Sequence, residues 1–297
     1  MRTFPINGNA AEVEEALLMT AAAVEPAGAG RWKVAPRQGQ GMTVIASIEH
    51  GWLCFDASLN GRSPSMDAGA AEWALLESNA LLPYGVRSAR RPGTAALKLR
   101  ADLPLGLECD LADGISRICA DMPAAADRLS ASGSSQPEAE PAPADLAVTR
   151  EEASLSSLCA EAGWDCVARA GGVSVPLDVP GESQTAFVGN GAGVCARVTQ
   201  LSCENLTEQS RSAIGKLLLA ASWLVFMARP IAGVNAESGW HSAGFAVAFH
   251  SRPSARELDT GLKALSVACR ICGREALALR DPEPADASAL GSRLRPP

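Results

Sequence analysis

The sequence is poor in aromatic residues and in basic charge. Phe, Trp and Tyr make up 4% of the 297 residues, and a single tyrosine is present. The formal net charge is −7 at pH 7. An acidic chain is a poor ligand for nucleic acid, because phosphates are bound by basic surfaces. We therefore expect no nucleic-acid partner.

The chain also lacks a long apolar run and a targeting signal. Its longest apolar stretch, LLLAASWLVFMA at 217–228, is too short to cross a bilayer as a helix. The opening MRTFPINGNAAEVEE has neither an apolar core nor a cleavage-like site. Nine scattered cysteines do not form the framework of a small secreted protein. These features predict no membrane partner and a cytoplasmic location with reduced thiols.

No catalytic or metal-binding signature stands out, and the GxSxG pattern is absent. CRIC at 269–272 is the single CxxC motif. Both thiols fall on the apolar stripe of a predicted helix, which favours core packing over zinc or redox chemistry. Of the three histidines, His50, His241 and His250, the last two have no Cys, Asp or Glu neighbour at ligand spacing, and we interpret all three as edge or surface residues. We predict no catalytic residue, no metal site and no cofactor.

Glycines crowd the stretch FVGNGAGVC at 187–195. A phosphate cradle needs a strand before the glycines and a helix directly after them. Here the following residues, VCARVTQL, alternate with the period of a strand, and the next helix is predicted only near Thr207. Asn190 and Gly191 form a favoured hairpin pair, because both residues tolerate positive φ. The stretch therefore predicts a hairpin rather than a nucleotide site.

Two blocks of similar pattern are separated by a segment that cannot form a core. Residues 131–147, ASGSSQPEAEPAPADLA, are rich in Pro, Ser, Ala and Glu and predict an interdomain linker. Residues 281–297 have the same character and predict a disordered tail. The remaining blocks, 8–130 and 148–280, are each the size of one domain.

The two blocks share one predicted order of elements. Each begins with a helix and continues with strands, a central helix ended by a proline, a two-strand hairpin and a closing helix. We write this order as α-β-β-β-α-β-β-α. Antiparallel hairpins with helices packed on them define an α+β fold rather than a βαβ array. The shared order predicts two similar domains that arose by duplication.

The segments that carry this order are EWALLESNALLPYGVRSARRPGTAALKLRADLPL at 72–105 and KLLLAASWLVFMARPIAGVNAESGWHSAGFAVAFHS at 216–251. Their order resembles the domain of type III secretion chaperones and the related YbjN-like proteins. The resemblance implies that the chain binds a partner polypeptide in extended form. Such proteins are usually single short domains that act as dimers. Two domains in one chain would then form a pseudo-dimer, compatible with a monomeric protein.

Five residues are candidates for partner binding. Arg87, Arg90 and Arg91 form the one local basic cluster, in VRSARRPG, and could hold an anion or an acidic partner. The alternative is a turn exposed to solvent. Trp52 and Trp240 lie in predicted strands beside glycine, where they either pack on their sheets or anchor a partner.

The sequence thus predicts a non-enzymatic protein that binds another protein and resembles a secretion-type chaperone. The alternative is a ligand-binding or regulatory subunit of a larger enzyme complex, in which the arginine cluster would hold an anion. An enzyme in its own right, such as a hydrolase or transferase, would require polar groups that converge only in the folded chain.

Overall fold

A computed structural model describes most of the chain. The described residues are 10–38, 41–59, 68–83, 85–94, 96–106, 110–131, 150–179, 182–190, 194–203, 206–234, 241–249 and 251–279. The predicted linker, apart from its first residue, and the predicted tail lie outside these ranges, so the domain boundaries stay a prediction.

The described residues of the first half form three helices and six strands. They are α1 (Ala10–Thr20), β1 (Ala23–Gly28), β2 (Arg31–Ala35), β3 (Val44–Glu49), β4 (Trp52–Ser58), α2 (Ala68–Asn79), β5 (Val86–Arg90), β6 (Leu97–Pro104) and α3 (Leu111–Ala131).

The second half repeats the same elements. They are α4 (Arg150–Glu161), β7 (Val167–Arg169), β8 (Gly172–Val179), β9 (Glu182–Asn190), β10 (Val194–Cys203), α5 (Glu208–Leu224), β11 (Arg229–Val234), β12 (His241–Ala248) and α6 (Ala255–Ala278).

Each half folds into one antiparallel sheet of six strands. The strand order is β1-β2-β3-β4-β6-β5 in the first half and β11-β12-β10-β9-β8-β7 in the second. Read from the opposite edge, the second order is the first one repeated, with each strand replaced by its equivalent. The predicted α+β class with two similar halves is therefore confirmed.

Each half has four strands, rather than three, between its first two helices. In the first half the additional strand is β1. Its residues, AVEPAG, are mostly exposed and carry no apolar alternation. Pairing with β2 defines this edge strand, and such pairing leaves little trace in composition.

Two paired strands flank the glycine-rich stretch, whose residues 191–193 lie outside the described residues. β9 and β10 pair antiparallel on either side of it, with Asn190 opposite Val194. The helix that follows, α5, begins only at Glu208, with Thr207 as its N-cap. The residues that follow the glycines thus form the strand β10, and no described helix begins directly after them.

The closing helices α3 and α6 cover one face of each sheet. α6 begins at Ser254, whose hydroxyl and Glu257 form a capping box. Its buried stripe includes Cys269 and Cys272, both with no exposed surface. Burial raises the pKa of the Cys272 thiol well above its ordinary value, so this CxxC pair behaves as core packing.

The central helices α2 and α5 approach each other very closely at Gly215. A Cβ atom placed on Gly215 would lie 2.9 Å from Cβ of Glu72 and 3.1 Å from the Glu72 carbonyl carbon. Backbone atoms cannot yield as a flexible side chain can. Glycine at this position therefore permits the two helices, and with them the two halves, to pack.

The variant Gly215→Ala tests this close approach. Helix propensity alone would stabilise the variant by about 0.5–1 kcal/mol. We expect instead that its free energy of unfolding, measured with urea, falls by about 1–2 kcal/mol, because the added methyl group overpacks the helix contact.

The matched control is Gly114→Ala in α3. There the added Cβ would meet only the tip of the Leu103 side chain, at 2.9 Å, which can move aside. We expect this control to retain or gain stability. Equal stability of the two variants would contradict the proposed role of Gly215.

Candidate functional site

The two halves are joined by their central helices and by one edge strand of each sheet. Helix α2 packs on α5 and on β11, and α5 packs in turn on β5. Each half thus places its central helix on the sheet of the other half, as in the self-complementary interface of a twofold dimer. We call this contact of α2 and β5 with α5 and β11 the interface between the halves.

An arginine of the second half binds the end of the first half's central helix. The Arg229 guanidinium donates hydrogen bonds to the carbonyl oxygens of Asn79 (3.1 Å), Leu82 (3.0 Å) and Pro83 (2.7 Å). Asn79 is the last residue of α2, where the helix end carries partial negative charge, and Leu82 and Pro83 lie in the segment that follows. Arg229, only 7% exposed, satisfies these groups from across the interface.

The first half makes the reciprocal contact. Arg87, on β5, donates from Nε and from one terminal nitrogen to the carbonyl oxygen of Ser222, at 3.2 and 3.1 Å. Ser222 lies two residues before the end of α5. The Asn79 amide strengthens the interface, because it donates to the Pro230 carbonyl (2.9 Å) and accepts from the Ser88 N–H (2.7 Å). Backbone groups of each half are therefore satisfied by side chains of the other.

Asp102 connects this network to a second arginine. Its carboxylate accepts from Arg87 at 2.5 Å, from the Met227 N–H at 2.9 Å and from Arg100 Nε at 3.1 Å. Burial alone would raise the pKa of Asp102, but the two arginines and the Met227 N–H together lower it below its ordinary value. Asp102 is thus held as a buried carboxylate between the halves.

Arg100 lies beneath aromatic rings of the second half. Its guanidinium carbon is 4.6 Å from the ring centre of Trp223 and 5.6 Å from that of Phe226, within the range of cation–π attraction. On its own sheet it faces Asp56 at 3.5 Å. Burial raises the pKa of Asp56, although Arg100 opposes this shift. Burial likewise raises the pKa of the nearby Cys54 thiol.

A cleft of about 370 Å³ opens where the interface reaches the surface. The first half contributes the end of β6 and the first turns of α3. The second half contributes the segment before β11 and the connection from β12 to α6. The lining residues are Gly85, Asp102, Leu103, Pro104, Asp110, Asp113, Gly114, Arg117, Ile118, Asp121, Met227, Arg229, Ala248, Phe249, Ser251, Pro253 and Glu257.

The structure does not bring the three arginines of the predicted basic cluster together. Arg87 lies in the interface, with its side chain 1% exposed. Arg90 forms an ion pair with Glu72 on α2 at 3.1 Å, and Arg91 is exposed. Partner binding by these residues stays a prediction, and Arg91 is the member of the set that is open to solvent.

The two predicted tryptophans have different outcomes. Trp52 stacks on Phe226 of the second half, with ring centres 5.1 Å apart and planes at 10°. It is half-buried, so it packs across the interface and keeps some exposed surface. Trp240 lies outside the described residues, as does His250. His241 makes an edge-on contact with Trp73 across the interface, at 5.9 Å between ring centres.

Within the described ranges, no group of three or more His, Cys, Asp or Glu side chains is arranged to hold a metal ion. No helix in these ranges is both long and apolar enough to cross a membrane. The comparisons with known proteins add no family, because no family model, no curated protein and no solved structure matches the chain.

Arg100, Asp102 and Arg229 of the interface are not among the residues singled out from the sequence. Arg100 and Asp102 alternate along LKLRADLP, which places two opposite charges on one face of a strand. That pattern is a usable signal of a buried ion pair. Arg229 precedes Pro230 and carries no comparable signal, because its partners are backbone carbonyls of a distant helix.

The variant Asp102→Asn tests the buried charge network. It leaves Arg87 and Arg100 buried without their shared carboxylate, and removal of one partner of a buried ion pair costs roughly 3–5 kcal/mol. We expect a loss of this size in the free energy of unfolding. The control is Asp113→Asn, which breaks the exposed pair with Arg117 and should cost about 0.5 kcal/mol. Similar losses in both variants would contradict the account.

The stabilisation that Asp102 provides should depend on pH. Because the folded-state pKa of Asp102 is lowered, its stabilisation is complete above the unfolded-state value, about 3.9. This stabilisation is lost as the pH falls through the folded-state value. The stability difference between wild type and Asp102→Asn should therefore shrink below about pH 4. Urea titrations from pH 7 to pH 2.5 measure this difference, and a constant difference would contradict the assignment.

Proposed function

We propose that this chain is a non-enzymatic, protein-binding protein in which two chaperone-like halves form a covalent pseudo-dimer that holds a partner polypeptide. The observation that supports the proposal most is the reciprocal interface. The two halves have the same strand order. Each packs its central helix on the sheet of the other half, as the subunits of a twofold dimer would. The linked pair offers binding surface from both halves at high effective concentration.

The sheet edges are poor sites for strand addition by a partner, and one of them, β5, packs on α5 and β11 in the interface between the halves. β1 contains Pro26 and β11 contains Pro230. β7 covers β8 only from Gly172 to Ser174, and the edge beyond includes Pro176. A proline has no N–H to offer an added strand, and prolines of this kind protect sheet edges. We therefore place partner binding in the cleft between the halves rather than along a strand.

A second candidate function is a ligand-binding or regulatory subunit of a larger enzyme complex. It is favoured by the same cleft, since about 370 Å³ lies within the range of small-molecule sites. In that case the occupant is a small molecule that the protein retains on purification. The two candidate functions predict different binding by the purified full chain: a peptide in the first case and a retained small molecule in the second.

Selection from a phage-displayed library of random twelve-residue peptides tests the main proposal. We expect the immobilised full chain to enrich a convergent peptide family that binds with saturation in solution. The control is the same chain unfolded in urea, which should enrich no such family. No enrichment by the folded chain contradicts the proposal. A small molecule retained in the native mass spectrum, together with no enriched peptide, supports the regulatory subunit instead.

A further inference from the structure

Two thiols of the second half lie against each other at the end of α4. Cys159 is in the last turn of this helix, and Cys166 comes directly before β7. Their side chains form a hydrogen bond, and Cys166 Sγ also donates to the Ser156 carbonyl oxygen at 3.9 Å. The two sulfur atoms are therefore in contact, which is the first requirement for a disulfide.

The chain returns to α4 through a tight C-cap. The Gly163 N–H donates to the Ala160 carbonyl at 3.0 Å, and the Trp164 N–H donates to the Cys159 carbonyl at 2.9 Å. This pair of bonds, with Gly163 at a φ of 80°, is the Schellman motif. Because these bonds fix the backbone of the turn, they hold Cys166 against the last turn of the helix.

Helix α6 supports the same turn from its other side. The Trp164 indole N–H donates to the Asp259 carboxylate at 3.1 Å, and α4 packs on α6. The thiols are thus held in place by two helices. A fixed arrangement of this kind raises the effective concentration of one thiol at the other.

The two thiols differ in their access to solvent. Cys159 has no exposed surface, whereas Cys166 is partly exposed. Burial raises the pKa of the Cys159 thiol to about 12, and its contact with Cys166 adds to this shift. Since the thiolate is the attacking species in disulfide exchange, Cys166 is the thiol that reacts first with an external disulfide.

We propose that Cys159 and Cys166 are a modification site, at which they form a reversible disulfide by exchange with a small-molecule disulfide. The inference goes beyond the proposed function and does not depend on it. The Cys166 thiolate attacks one sulfur of the external disulfide, whose S–S bond breaks and releases one small thiolate. The Cys159 thiolate then attacks the Cys166 sulfur and releases the second small thiolate.

The exchange balances without a further reactant. Two protein thiols are oxidised to one disulfide, and one external disulfide is reduced to two thiols. The two protons that Cys159 and Cys166 lose to solvent are taken up by the departing thiolates. An excess of the small thiol reverses both steps.

The disulfide ties the end of α4 to the entry of β7. This strand is an edge of the second sheet, and all three of its residues are exposed. It pairs with β8 only from Gly172 to Ser174, and α4 packs on both strands. Oxidation therefore fixes a sheet edge that few contacts hold in the reduced protein.

Mass spectrometry of one peptide tests the inference. Both thiols fall in the tryptic peptide EEASLSSLCAEAGWDCVAR at 151–169, which contains no other cysteine. The full chain is equilibrated with reduced and oxidised glutathione, trapped with acid, and alkylated with N-ethylmaleimide before digestion. We expect the ratio of disulfide to dithiol to be roughly tenfold or more higher in the folded chain than in the same chain unfolded in urea.

Three single variants separate the two steps of the exchange. Cys159→Ala should accumulate glutathione on Cys166, because no second thiol displaces it. Cys166→Ser should leave Cys159 as a free thiol. The matched control is Cys195→Ser, which removes the other partly exposed thiol among the described cysteines and should leave the ratio unchanged.

Two results would overturn the inference. One is a disulfide that forms no more readily in the folded chain than in urea. The other is wild-type protein that keeps glutathione on Cys166 and never passes the oxidation to Cys159. Both results come from the unmodified chain, so they remain decisive even if a variant fails to fold.

Discussion

Each half of this protein completes the central helix of the other. The carbonyl groups at the end of α2 accept hydrogen bonds from Arg229, and Ser222 near the end of α5 accepts from Arg87. These groups lie inside the molecule, away from water, where a polar group without a partner costs about 1–3 kcal/mol. Within the first half, the Asn79 and Pro83 carbonyls each accept one backbone N–H, from Leu82 and Val86, and Arg229 adds a further donor from the second half. The reciprocal contact therefore makes the folded state of each half depend on the other.

The interface is reciprocal in shape but not in polarity. In the first half, Arg100 is paired in register with Asp56 and Arg87. In the second half Arg229, the counterpart of Arg87, is paired with Ala246, so a small apolar residue takes the place of Arg100. Two copies of the first half would bring four buried arginines together against the same interface. The first half, with Arg87 and Arg100 at the interface, thus favours pairing with the second half, where Ala246 takes the place of Arg100, within one chain.

The fold follows from the sequence wherever apolar patterning is strong. The central helices, the closing helices and most strands are marked by their period and by prolines at their ends. β1 is not marked in this way, because it is an exposed edge strand defined by its neighbour. The domain linker and the tail depend on composition alone and stay predictions.

The site was less accessible from sequence than the fold. Arg87 was grouped with Arg90 and Arg91 because the three are neighbours in the chain, yet the pleat of β5 directs them to different surroundings. Arg87 faces the interface, whereas Arg90 pairs with Glu72. Arg229 and the cleft arise from residues that are far apart in sequence and meet only when the halves pack. Such contacts leave no local pattern.

Scanning calorimetry of the full chain tests the mutual dependence of the halves most directly. The account predicts one unfolding transition, with equal calorimetric and van't Hoff enthalpies. It also predicts that Arg229→Met lowers or splits this transition, while Arg256→Met, at an exposed position on α6, leaves it unchanged. Two separate transitions in the unmodified protein, both insensitive to Arg229→Met, would contradict the account.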